Sequence, residues 1–188
     1  MARASTTRAD MITGAARLLS RRGLQATSFS EVLAATGAPR GSLYHHFPGG
    51  KDELVSEATR YVGSQLLEVL ARARPSTPEE VVDLFTSVWR RVLTGSDLEA
   101  GCAVAAVTID AGDDRGELLA LAGQVFTEWE GALAGLLRQT GVEARRAADL
   151  AILLLVAMEG SLVLCRAQRS LEPFDRVTDQ LLRAVGTT

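Results

Sequence analysis

Aromatic residues and prolines are scarce in this chain of 188 residues. Only 5% of the residues are aromatic and five are proline, whereas 47% are apolar. This composition supplies enough apolar side chains for a sizeable core, and it is easier to reconcile with long helices than with sheets. We therefore expect an all-α protein with one compact body or two small ones.

Long uncharged hydrophobic runs are also missing. The longest apolar run, residues 150–158, stops at Glu159, so we predict a core helix here and no membrane span. Only two cysteines occur, Cys102 and Cys165, far apart and in apolar helical contexts. We expect both to be reduced core thiols in the cytosol.

Histidine is limited to one adjacent pair, His45 and His46. Neighbouring residues of a helix point about 100 degrees apart, so the two rings cannot hold one metal ion together. No cysteine or acid lies three or four residues away to complete a site. The histidine-free remainder has no Ser/His/Asp arrangement and no glycine loop for a phosphate. We predict no metal, no cofactor and no catalysis.

Charge is distributed unevenly along the chain. Residues 1–51 contain seven Lys/Arg and two acids, whereas residues 52–188 contain 13 basic and 21 acidic residues. The first block carries +5 and the second −8, within a total of −3. A basic N-terminal block on an acidic remainder is typical of a DNA-binding head followed by a body that does not bind DNA.

Residues 28–47 predict two short helices joined by a glycine turn. Ser28 and Glu31 form a capping box that opens the first helix, and Gly37 ends it in a left-handed conformation. Pro39 fits the first turn of the second helix. Leu43 and Phe47 are four residues apart and would pack back on the first helix. The residues left to point outward offer a guanidinium, hydroxyls and an imidazole but no carboxylate, which suits a helix in the DNA major groove: Arg40, Ser42, Tyr44 and His45.

At these residues the sequence resembles the TetR family of bacterial transcriptional repressors. The resemblance extends over residues 7–62 and rests on short matches within 26–28, 31–32, 36–37, 41–47 and 51–54. The segments 45–51 and 101–105 are similar to the LmrA/YxaF-type branch. One departure is Pro39, where many members carry a Ser or Thr that caps the helix and contacts phosphate.

The resemblance implies a helix-turn-helix domain over residues 1–50 and a ligand-binding and dimerisation domain over 51–188. It also implies that Thr27, Ser28 and Lys51 lie at the DNA backbone. From the outward residues together with these, we expect groove contacts from Arg40, Ser42 and Tyr44 and phosphate contacts from Thr27, Ser28, His45 and Lys51. Other readings stay open: Arg40 and Lys51 as solvated charges, and Tyr44 as a packed ring edge.

Apolar periodicity predicts about nine helices, with a three-helix head followed by a helical body. Their expected ranges are 6–22, 28–36, 39–46, 51–74, 78–93, 102–111, 116–140, 144–169 and 174–185. The eighth helix is apolar on nearly all sides, which exceeds the needs of one core face. We expect a homodimer through the helices at about 144–169 and 173–186, packed as a four-helix interface. Complete cover by helices of the same chain is the alternative.

The resemblance further implies a cavity in the body for a small lipophilic effector. Candidate lining residues are Trp89, Cys102, Ile109, Phe126, Trp129, Met158 and Glu159, although plain core is the favoured reading of each apolar one. Glu159 has three open interpretations: a partner for a cationic or hydroxylated ligand, a charge paired across the dimer, or a solvated side chain.

The function expected from these features is a cytoplasmic, nucleoid-associated repressor that binds a pseudo-palindromic operator and releases it on binding the effector. Three alternatives stay open: an architectural DNA-binding protein without a ligand switch, a ligand-dependent activator, and a helical enzyme that carries the head as a targeting module.

Overall fold

A computed structural model describes residues 8–112 and 115–186. Within these ranges the chain forms nine helices and no strand, which confirms the all-α class. The helices are α1 (Arg8–Arg22), α2 (Phe29–Thr36), α3 (Arg40–His46), α4 (Gly50–Arg72), α5 (Pro78–Gly95), α6 (Ala103–Asp110), α7 (Gly116–Gln139), α8 (Ala144–Gln168) and α9 (Glu172–Gly186).

The predicted helix ends agree with these bounds to within two residues, except the predicted start at residue 6, which lies outside the described residues. Pro39 is the main local correction, because it is the N-cap residue of α3 and not part of its first turn. Its extended backbone (φ −65°, ψ 141°) explains this, since proline fixes φ but leaves ψ free to be non-helical.

By its internal contacts the chain divides into two compact units. The first contains residues 1–64 and 102–125, and the second contains residues 65–101 and 126–188. The chain passes between the units at three points: one lies within α4, one in the segment between α5 and α6, and one within α7.

In the first unit α1 is the central element, with contacts to α2, α3 and α6. Its predicted stripe of Ile12, Ala15, Ala16 and Leu19 is buried. α1 and α2 approach so closely that a Cβ atom on Gly14 would lie 2.6 Å from Cγ2 of Thr36. The head is therefore held by small residues at α1 and by the fully buried Leu43 and Phe47 at α3.

In the second unit α9 packs on α5 and α8. Arg90 of α5 forms an ion pair with Asp175, and its guanidinium lies 5.0 Å from the ring centre of Phe174, which is fully buried. Arg90 therefore links α5 to the start of α9 through an ion pair and a cation–π contact.

One side of α8 is apolar and open to solvent. Five large side chains along it are between 44% and 65% exposed: Ile152, Leu153, Val156, Val163 and Leu164. By length and composition α8 is the one helix among the described residues that could cross a membrane, but 44% of its most apolar window is buried in the protein. Core helices of soluble proteins have the same length and composition. The described helices thus leave a continuous apolar strip on α8 without cover.

Candidate nucleic-acid interface and effector site

The turn that opens α2 is built by hydroxyl groups. Ser28 is the N-cap, and its Oγ accepts a hydrogen bond from the Glu31 N–H at 3.3 Å. The other half of the predicted capping box is wrong, because the Glu31 carboxylate accepts instead from Arg22 of α1 at 2.7 Å. The arginine carries a positive charge that the neutral Ser28 N–H lacks, so the carboxylate pairs with Arg22 and the cap is one-sided.

Thr27 is placed differently from the other predicted DNA contacts. Its side chain is only 1% exposed, and its hydroxyl donates to the Gly23 carbonyl at 2.8 Å. The hydroxyl therefore holds the chain between α1 and α2, and its phosphate contact stays a prediction.

The side chains that the sequence predicts to point outward from α3 are accessible in the structure. Arg40 and His45 are exposed, Ser42 is half-buried, and Tyr44 is 67% exposed. The ring of Tyr44 meets Phe29 edge to face, with centroids 5.5 Å apart and planes at 83°. Tyr44 is thus supported on one edge and open on the other, which suits a rigid aromatic contact.

The start of α3 has no side-chain cap. Pro39 makes no capping hydrogen bond, as the sequence predicts for a residue without a donor or acceptor in its side chain. Gly37 precedes it with φ 69°, the left-handed conformation that ends α2. The first N–H groups of α3 are therefore left for solvent or for an anion.

Lys51 lies in the first turn of α4, and its Nζ donates to the Leu24 carbonyl at 2.8 Å. Burial lowers the pKa of Lys51, the nearby Arg115 lowers it further, and Asp52 opposes the shift. One of three ammonium protons is used in this bond, so the others are left for a phosphate contact.

Asp110 was missed by sequence reasoning. It is the last residue of α6, and its Oδ2 accepts from the Leu24 N–H at 2.7 Å. The two residues are 86 positions apart, and nothing in the local pattern distinguishes this acid from the others.

The predicted effector residues fall into both compact units. Cys102 and Ile109 belong to the first unit. Cys102 is buried and caps α6, its Sγ accepting from the Ala105 N–H at 3.4 Å, whereas Ile109 is 78% exposed. Because Ile109 is so exposed, nothing in the described residues encloses it, and its ligand role stays a prediction.

The second unit brings the aromatic candidates together in one array. Trp89 and Trp129 lie 6.1 Å apart at 71°, with Phe85 beside Trp89 at 6.2 Å and Phe126 beside Trp129 at 5.6 Å. Both indoles are buried, and Phe126 is half-buried at one end. Edge-to-face pairs of this kind stabilise a shared aromatic surface.

The Nε1 atom of Trp89 is buried and has no hydrogen-bond partner among the described residues. A buried indole N–H usually has an acceptor, so this donor is an exception.

Met158 is fully buried and Glu159 is half-buried on α8. The array therefore combines apolar surface with one unused donor.

A separate groove of about 230 Å³ lies between the end of α8 and the start of α9. It is lined by Leu164, Gln168, Glu172, Pro173, Arg176 and Val177, so it contains none of the predicted effector residues. Because Leu164 is also part of the open apolar strip of α8, we assign the groove to that surface and not to the effector site.

Comparison with known proteins gives two family matches. Residues 11–58 match the family described as bacterial regulatory proteins of the tetR family, and residues 78–180 match the C-terminal domain of LmrA/YxaF-like transcriptional regulators. These matches confirm the resemblance and the branch inferred from residues 26–54 and 101–105.

Similar chains and similar folds support the same assignment. An uncharacterized HTH-type transcriptional regulator of Mycobacterium tuberculosis is 37% identical over 93% of this chain and 91% of its own. The regulator LmrA of Bacillus subtilis is 25% identical, over 88% and 89% respectively. A regulatory protein TetR from Rhodobacter sphaeroides has the same fold, with a TM-score of 0.85, 19% identity and coverage of 96% and 99%.

The regulator CifR, solved as a cysteine mutant with a 26-bp operator, also has this fold. Its TM-score is 0.73 at 23% identity, with 98% of this chain and 99% of that one covered. The family and the similar chains are transcriptional regulators and not enzymes.

Proposed function

Because this chain belongs to the TetR family of DNA-binding transcriptional regulators, we propose that it is a repressor released from its operator by a small lipophilic effector. TetR-family regulators bind operator DNA as dimers, and we infer a homodimer on a pseudo-palindromic operator. The observation that carries the proposal is the exposed, carboxylate-free side of α3, held on a buried Leu43 and Phe47.

We assign the groove contacts to Tyr44, Arg40 and Ser42, and the phosphate contacts to Thr27, Ser28, His45 and Lys51. The exposed side chains of α3 offer donors to base edges, while the N-terminus of α2 offers N–H groups and a favourable dipole to a phosphate. Residues 1–50 form the DNA-binding domain in this proposal, and residues 51–188 form the effector-binding and dimerisation domain.

The dimer is proposed to form through α8 and α9. The open strip on α8 is too large and too continuous to stay in water in a monomer, and a two-fold axis would let it cover itself. Two recognition helices would then be spaced about 34–36 Å apart, or a multiple of that, to meet successive turns of one DNA face.

The effector is proposed to bind at the aromatic array of α5 and α7. Support comes from the two buried indoles, the half-buried Phe126 at one end of the array, and the unused Trp89 N–H. The effector would favour a spacing of the two heads that does not fit the operator, and so release it. Membership in this family is consistent with the cytoplasm, and we place the protein on nucleoid DNA there.

The test is equilibrium binding to DNA selected from a random-sequence pool, at a defined salt concentration, beside a scrambled duplex of equal length. The proposal expects one preferred pseudo-palindrome, bound about 1,000-fold or more tightly than the scrambled duplex. Equal affinity for both would favour an architectural protein without an operator. Transcription assays on that site then separate repression from activation, since only a repressor lowers the transcript.

A further inference from the structure

The main chain of Leu24 is held at both its N–H and its carbonyl by residues distant in sequence. Its N–H donates to Oδ2 of Asp110 at 2.7 Å, and its carbonyl accepts from Nζ of Lys51 at 2.8 Å. The same carbonyl accepts from the Thr27 N–H at 3.2 Å. One backbone unit between α1 and α2 therefore joins the end of α6 to the start of α4.

The link between Asp110 and this turn is reciprocal. The side-chain amide of Gln25 donates to the main-chain carbonyl of Asp110 at 3.2 Å. A carbonyl at the end of a helix lacks a partner within the helix, so Gln25 satisfies an acceptor of α6 while Asp110 satisfies a donor of the turn. A second link runs nearby, where Nε of Arg115 lies 3.6 Å from Oδ1 of Asp52.

The turn is shaped to admit the carboxylate. Gly23 has φ +77°, and a Cβ atom there would lie 2.4 Å from Oδ2 of Asp110. Only a glycine allows both this backbone conformation and so close an approach. The side chain of Leu24 is fully buried, so the turn cannot follow a displaced Asp110 without moving the core.

Three of the proposed phosphate contacts depend on this turn. Thr27 lies three residues after Leu24 and donates its N–H to the Leu24 carbonyl. Ser28 follows as the N-cap of α2, and Lys51 is bonded to the same carbonyl. Asp110 is itself an acid, so it repels a phosphate and has no direct use in a DNA interface. Its contribution must therefore act through the residues it holds.

We propose that Asp110 is a positioning residue for operator binding: its carboxylate fixes the Leu24 peptide and thereby places Thr27, Ser28 and Lys51 against the DNA backbone. This inference rests on the phosphate contacts proposed above. Because α6 belongs to the C-terminal family domain and Leu24 to the N-terminal one, this bond, like the one from Gln25 to Asp110, links the two family domains.

The direction in which operator affinity changes when the Asp110 carboxylate is removed separates a positioning role from a simple effect of charge. Removing a negative charge should strengthen binding to a polyanion, or leave it unchanged, if charge alone matters. Positioning predicts the opposite, because a released turn no longer holds its phosphate contacts. We expect Asp110→Ala to weaken operator binding about tenfold, the effect of leaving one buried N–H without an acceptor.

Two further variants control for simple loss of folding. Asp110→Asn keeps an oxygen that accepts from the Leu24 N–H, so it should retain most of the affinity. Asp83→Ala removes an exposed acid from α5, in the other compact unit, and should bind at least as tightly as the wild type. Melting temperatures, taken alongside, confirm that each variant is folded at the assay temperature.

A double-mutant cycle tests the atom pair itself. Gly23→Ala must displace the Asp110 carboxylate. The double variant should therefore lose less operator affinity than the product of the two single losses. Gly23→Ala strains the backbone whether residue 110 is Asp or Ala, so this strain cancels in the coupling energy of the cycle. Lys51 is the only lysine in the chain, so a 13Cε-lysine label gives one side-chain resonance, which should shift in Asp110→Ala but not in Asp83→Ala.

The decisive experiment is fluorescence anisotropy of these variants on the operator selected with the wild type. Weaker binding by Asp110→Ala, rescue by Asp110→Asn and a non-multiplicative cycle would support the positioning role. Wild-type affinity in a folded Asp110→Ala, or tighter binding, would overturn the inference and leave the proposed function intact. A wild type that prefers no DNA sequence would overturn the proposed function and this inference together.

Discussion

Helices α3 and α8 both leave one side without cover, but the chemistry of the two open sides differs. α3 exposes Arg40, Tyr44 and His45, whereas α8 exposes Val156 and four other aliphatic side chains. Hydrogen-bond donors without carboxylates suit a nucleic acid, and a long aliphatic strip suits another protein surface. The comparison teaches that the chemistry of an uncovered helix face indicates which class of partner covers it.

The largest expected effect is on α8. Val156→Glu places a carboxylate in the proposed two-fold interface, where desolvation without a partner should weaken dimerisation about 100-fold or more. Native mass spectrometry should shift from twice 20.0 kDa towards a single chain of 20.0 kDa, and operator binding should fall with it. Leu119→Glu, at another exposed aliphatic residue in the other unit, is the matched control. A Val156→Glu protein that stays dimeric would contradict the assignment of this surface.

The next effect is on α3. Tyr44→Ala should weaken operator binding by about 1–3 kcal/mol, the range for a contact to a base edge. Because Tyr44 is 67% exposed, the melting temperature should hardly change. The only other tyrosine, Tyr61 of α4, is the control, and Tyr61→Ala should bind the operator normally. Equal affinity of the two variants would mean that Tyr44 is a packed ring edge and no more.

A smaller effect separates two roles of Ser28. Ser28→Ala removes the N-cap of α2 and should lower the free energy of unfolding by about 1 kcal/mol. Ser28→Asp keeps a good cap, so stability should be retained, but its charge should repel a phosphate and weaken operator binding. Thermal melting and anisotropy measured on both variants distinguish the roles. Normal operator binding by Ser28→Asp would mean that Ser28 caps α2 and does not contact a phosphate.

How much the sequence could predict depended on how far apart the interacting residues lie. Helix order, the cap at Ser28, the left-handed Gly37 and the buried Leu43 and Phe47 all follow from signals a few residues long. The partner of Glu31 was predicted wrongly, because Arg22 lies nine residues away and its charge outcompetes a local N–H.

The longer-range parts of the site had no signal at all. The bond between Asp110 and Leu24 spans 86 positions, and periodicity does not distinguish Asp110 from its acidic neighbours. The burial of Thr27 was likewise not visible, because a threonine next to a cap looks polar and exposed by its position alone. The aromatic array was foreseen only as separate residues, since the pairing of Trp89 with Trp129 depends on the packing of α5 against α7.

The smallest expected effect concerns the array. Trp89→Phe removes the unused N–H and keeps a smaller aromatic ring. The loss of an unsatisfied donor and the space left by the indole act in opposite directions, so the melting temperature should change little. The wild type should bind 2-acetylnaphthalene about fivefold more tightly than 2-ethylnaphthalene, because the ketone supplies an acceptor of the same shape. Quenching of tryptophan fluorescence measures the two affinities, and the preference for the ketone should disappear in Trp89→Phe, where Trp129 alone reports.

The two possible failures of that experiment have different meanings. If both compounds bind equally in the wild type, the Trp89 donor does not meet the ligand. If neither binds, the array is plain core and the effector site lies elsewhere.

The measurement that tests the central claim most directly is binding stoichiometry and affinity on three versions of the selected operator. One has the native spacing, one has about 5 bp inserted between the half-sites, which is half a helical turn, and one has a single half-site. The account predicts two chains on the native operator, with affinity largely lost on the other two. Equal affinity for all three duplexes would contradict a dimer that reads a pseudo-palindrome with two α3 helices.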